Sequence, residues 1–87
     1  MDQADDRELV YINSLKSAAA DYQDKADRAD EAYRWASQRQ SRTATGSEES
    51  DRWAIIRLAL QHERDACRDQ AAQREQEIRN AKRGIYR

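Results

Sequence analysis

Eight residues between positions 12 and 36 decide most of what this chain can fold into. Ile12, Leu15, Ala19, Tyr22, Ala26, Ala29, Tyr33 and Ala36 follow one another at alternating steps of three and four. That spacing holds one narrow stripe of a helix against a partner helix. Charged residues make up 38% of the chain, so a run this long without a charged intruder is hard to obtain by chance. Half of it is Ala, which lets the partner backbone approach closely.

The rest of the chain agrees with a helix. There is no Pro in 87 residues, where average usage of about 5% would supply roughly four. Ala, Arg, Gln and Glu are good helix formers, and Val10 is the only Val. One break interrupts the pattern, at Thr43-Ala44-Thr45-Gly46-Ser47-Glu48-Glu49-Ser50-Asp51. Gly46 suits the left-handed position just past a helix C-terminus. Ser47 or Ser50 can cap the next helix, and the acids after the turn favour a helix start. Gly84 marks where the second helix frays. The expectation is an all-α single domain of two long antiparallel helices, a helical hairpin. Helix 1 spans about 4–44, the turn about 45–47 and helix 2 about 48–83, each helix roughly 55–60 Å long.

Helix 2 carries a less regular stripe of Trp53, Ile56, Leu60, Cys67, Ala71, Ile78, Ala81 and Ile85, with Arg64 and Arg74 at the slots that would complete it. Ile55, Ala59 and Ala66 widen its first half into a second face. Folding at Gly46 pairs positions whose numbers sum to about 92. Tyr33 then lies near Ala59 and Leu60, Ala36 near Ile56, Ala26 near Cys67 and Ala66, Leu15 near Ile78, and Ile12 near Ala81. Asp2, Asp5, Asp6 and Glu8 come beside Arg79, Lys82, Arg83 and Arg87. Exposed pairs of this kind contribute only ~0–1 kcal/mol each.

A lone hairpin buries little surface. Leu9, Val10, Tyr11, Trp35, Trp53 and Ile55 fall off or beside the seam and need cover. A second copy gives a four-helix bundle homodimer, and one protein partner would serve equally well.

Chemistry is scarce. The single Cys excludes an internal disulfide framework and a Cys-rich zinc module. His62-Glu63-x-x-Ala66 has Ala where a second ligand belongs, and Cys67 is out of step. A nucleophile lacks a base with an orienter, and Glu63 is the one acid expected near the seam. No catalytic residue, metal, cofactor or small-molecule substrate is expected, and no enzyme. A net charge of −1 excludes both a nucleic-acid mimic and a basic coat protein. No apolar run approaches a membrane span, no signal peptide is visible in the acidic N-terminus, and the expected location is the cytoplasm.

Two patches stand out as partner-binding candidates. Near the turn, Arg34, Arg39, Arg42, Arg52 and Arg57 gather with Trp35, Trp53 and Tyr33 in stretches that lack acids. Arg, Trp and Tyr are the residue types enriched in binding hot spots; alternatively the two Trp fill a bundle interior while the Arg face water. At the other end Val10 and Tyr11, with Leu9 and Ile12, point all round helix 1. The expected function is protein–protein interaction, as an inhibitor, adaptor or assembly chaperone of the kind phages and plasmids encode, by analogy of shape alone. The alternatives are a structural coiled-coil component of a larger assembly, and a small regulator that contacts nucleic acid or a nucleotide through the tip arginines, against which the acids at the tip argue.

Overall fold

The computed structural model describes residues 6–85 and, among them, two helices. α1 runs Asp6–Ser41 and α2 runs Glu48–Ile85. They lie antiparallel in a rod 68 Å long and 13–14 Å across. The expected start of helix 1 at residue 4, the acids Asp2 and Asp5, the terminal Arg87 and the side chain of Ile85 lie outside the described residues.

α1 uses the stripe as the spacing predicts. Ile12, Leu15, Ala19, Ala26, Ala29 and Ala36 are buried, and Ala26 and Ala36 are fully so. Tyr22 and Tyr33 are half-buried on the same stripe. With methyl groups at the seam, the larger side chains of α2 reach across it.

α2 corrects the expectation. Ile56 is 41% exposed, and the slot beside it belongs to Arg57, which is half-buried. The seam of α2 then runs Ser50, Trp53, Arg57, Leu60, Arg64, Cys67, Ala71, Arg74, Ile78 and Ala81, each buried or half-buried. The steps alternate between three and four without a gap, so α2 carries as regular a heptad as α1. It looked irregular only because three of its slots hold arginine. A long guanidinium side chain can lay its stem in a seam and find acceptors at the edge.

Four contacts fix the register. Their position numbers sum from 88 for Trp35–Trp53 to 97 for Gln40–Arg57, with Tyr33–Arg57 and Asp30–Arg64 between. The expected value of 92 lies within that span.

The turn forms earlier than expected. α1 closes at Ser41, and the backbone N–H groups of Arg42 and Thr43 donate to the carbonyls of Arg39 and Gln40. The hydroxyls of Ser41 and Thr43 also donate to carbonyls three residues back, each at 2.7 Å. These hydroxyls satisfy the orphan carbonyls of the last turn and compete with continued helix. Gly46 has φ +81°, but it does not sit just past α1. It immediately precedes Ser47, whose Oγ accepts from the Ser50 N–H at 3.1 Å and caps α2. At the far end α2 runs through Gly84 to Ile85.

Candidate interaction surface

The seam contains one polar layer that positions the tip. The Asp30 carboxylate accepts from Arg64 Nη1 at 3.0 Å and from Arg34 Nη2 at 2.9 Å, with Arg68 4.0 Å away. The hydrogen bond from Arg64 lowers the Asp30 pKa first, and the charges of Arg34, Arg64 and Arg68 add to it against the opposing effect of desolvation. Arg64 is raised in return, chiefly by the bond to Asp30. One helical turn on, Tyr33 lies beneath two guanidiniums, Arg57 at 5.3 Å and Arg64 at 5.2 Å from its ring centre. Arg57 also donates to the Tyr33 hydroxyl at 3.1 Å and to Gln40 Oε1. The bond from Arg57 lowers the Tyr33 phenol.

Sequence reasoning missed Asp30 and expected Glu63 as the acid near the seam. Glu63 is exposed, and its carboxylate accepts from the Cys67 thiol at 3.7 Å. The available signal was the vacant slot at Arg64, which demanded an acid opposite it on α1.

Arg57, expected in the tip patch, is occupied within the hairpin. Its Nε is buried without an acceptor. Arg34 is exposed and paired to Asp30. Arg42 is exposed at the turn.

The two tryptophans do come together. Trp35 and Trp53 meet edge-on, with ring centres 5.1 Å apart and planes at 82°. Arg39 lies over Trp35 at 5.2 Å from the ring centre. Trp53 is half-buried while Trp35 stays 51% exposed. The second helix therefore props up an indole that remains available, with a guanidinium already laid on it. Around the tip Ile55, Ile56 and Leu58 are also exposed, at 69%, 41% and 56%. Leu58 was not anticipated. It lines a shallow groove of about 250 Å³ with Tyr33, Ala54, Arg57 and Gln61.

At the open end Leu9, Val10 and Tyr11 are exposed. Tyr11 lines a second groove of about 270 Å³ with Glu8, Ala81 and Gly84. Val10 faces solvent. The structure thus separates the two residues expected to act as one patch: Tyr11 walls a groove across both helices, and Val10 does not.

His62 is exposed and Cys67 is buried. Burial pushes the Cys67 thiol up, and Glu63 adds to the effect. Among the described residues no three of His, Cys, Asp and Glu are placed to hold a metal ion, and no helix is long and apolar enough to cross a membrane. Comparison with family models, curated proteins and solved structures finds no match to this chain.

Proposed function

We propose that this chain is a non-enzymatic cytoplasmic interaction protein that acts by covering a protein surface with its hairpin tip. The observation that carries this is Trp35, half exposed, braced by Trp53 from the opposite helix and overlaid by Arg39. Binding hot spots favour rigid aromatic groups because little side-chain freedom is lost when they dock. Ile55, Ile56 and Leu58 add further exposed apolar surface on α2. Self-association into a four-helix bundle belongs to the same proposal, because a rod one seam thick leaves these groups without cover.

The nucleic-acid alternative receives less support. Arg34 is paired with Asp30, Arg57 with Tyr33 and Gln40, and Arg52 approaches Glu48 at 4.0 Å. Guanidiniums engaged in this way contribute less to phosphate binding. Glu48, Glu49 and Asp51 add negative charge at the same tip.

The test is capture of a stoichiometric protein partner on the tagged chain, repeated with Trp35→Ala/Arg39→Ala. The double variant should keep its helical circular dichroism and lose the partner. Unchanged capture would discard the tip as the contact surface.

A further inference from the structure

The two ends of the rod are related by number. Tyr11 and Arg39 are four heptads apart, and so are Glu8 and Ala36, Ala81 and Trp53, and Gly84 and Ile56. Residues separated by whole heptads on a seven-residue seam share one face. The groove at the open end, lined by Glu8, Tyr11, Ala81 and Gly84, is therefore the same face of the hairpin as the tip strip that holds Arg39, Trp53 and Ile56. About 42 Å separates them along each helix. One end of this face carries Arg39, Trp53 and Ile56, and the other carries Glu8 beside the small residues Ala81 and Gly84.

We propose that a second copy of this chain covers this face, as an antiparallel two-fold dimer in which the tip of each copy fills the open-end groove of the other. The inference rests on the reading of the tip as a contact surface and names its occupant. A two-fold interface must be self-complementary, so that if one residue meets another, the reverse contact also forms. Laying α1 antiparallel on its copy brings Arg39 to Glu8 of the second chain. Laying α2 antiparallel on its copy brings Trp53 to Gly84 and Ile56 to Ala81. Arg39 and Glu8 meet as opposite charges, and Trp53 and Ile56 each meet a small residue, as close packing requires.

A single axis serves both pairings. It crosses α1 between residues 23 and 24 and α2 between residues 68 and 69. The hairpin register, with position numbers summing near 92, already places those two points side by side. The same axis brings Glu63 towards Arg74 of the second chain. Between the ends this face carries Ala18, Ala32, Tyr22 and Leu60, all half-buried, together with Lys25, Glu63 and Glu77. The groove lined by Leu58 and Tyr33 involves other heptad positions and stays open.

The test uses the full chain alone. Sedimentation equilibrium should give a dimer at about 100 μM, with Arg39→Glu weakening association about tenfold and the added Glu8→Arg restoring it. Gly84→Trp, which fills the groove from an exposed position, should weaken association by a similar factor. In a Cys67→Ala background, Glu8→Cys/Arg39→Cys should oxidise to a covalent dimer joined through positions 8 and 39. Those positions lie roughly 46 Å apart within one α1, so such a disulfide must join two chains. A monomer at 100 μM, or disulfides only between like positions, would overturn the proposal. If a monomeric chain still loses a captured partner on Trp35→Ala, the dimer falls and the tip reading stands. If the 8–39 dimer forms and tip variants still capture the partner, the dimer stands and the tip reading falls.

Discussion

Asp30 and Arg64 face each other across the seam at 3.0 Å, each with 17% of its side chain exposed. They form the one close carboxylate–guanidinium contact between α1 and α2 among the described ion pairs. Removing one member of such a pair strands the other in a partly dehydrated place. Asp30→Ala is expected to destabilise the hairpin more than Asp24→Ala, whose pair with Arg28 is exposed and within one helix. Urea midpoints of the two variants check this, and equal midpoints would refute it.

The same pair makes stability depend on pH. The Asp30 pKa is lowered from its ordinary 3.8, first by the bond from Arg64. A carboxyl whose pKa falls on folding adds stability above its unfolded value and loses it as pH drops through the folded one. The stability gap between wild type and Asp30→Asn should therefore be full at pH 6 and shrink steadily below about pH 4. A gap that stays constant to pH 2 would assign the interaction elsewhere.

Ala26 has no exposed surface. Ala26→Leu must push the helices apart or adopt a strained rotamer, at a cost of about 1–3 kcal/mol. Ala20→Leu, on an exposed position of the same helix, should stay within about 0.5 kcal/mol of wild type. Thermal denaturation of both at equal concentration distinguishes a close seam from a loose one.

At the turn, a Cβ on Gly46 would meet nothing within 4 Å, yet φ is +81°. Gly46→Ala should therefore cost about 1–2 kcal/mol through the backbone alone, and D-alanine at the same position should cost nothing. Ser47→Ala removes the hydroxyl that accepts from Ser50 and should cost about 1 kcal/mol. Chemical synthesis followed by urea denaturation would compare all three.

Cys67 reports on the seam. Its thiol is buried and pushed up in pKa by that burial, so little thiolate exists at neutral pH. At pH 8 the folded chain should react with a thiol reagent at least about tenfold more slowly than the chain in denaturant. Equal rates would mean that the helices separate freely.

Much of this was legible from residue types alone. α1 could be read position by position, because Ile12, Leu15 and the alanines are small or apolar and repeat without a gap. α2 could not, because polarity places Arg57 outside and Ile56 inside, and the structure reverses them. The reversal has a local cause on α1: Tyr33 offers a ring for Arg57 and Arg64 to stack on, Gln40 offers an acceptor, and Asp30 offers a charge. A helix read by itself does not disclose what its neighbour offers. The end of α1 was misplaced because Ser41 and Thr43 turn their hydroxyls back onto the chain. The tip aromatics were foreseen as a group, but Leu58 was not, because it lies outside the stripe used to count apolar residues.

Among the described residues no large side chain is completely enclosed. Two rods that touch along a single line have an interior only one side chain deep, so whatever settles against their flanks becomes part of that interior. For a molecule built this way, gaining a neighbour and resisting heat are one event. Its melting temperature should climb with the concentration of whatever it holds.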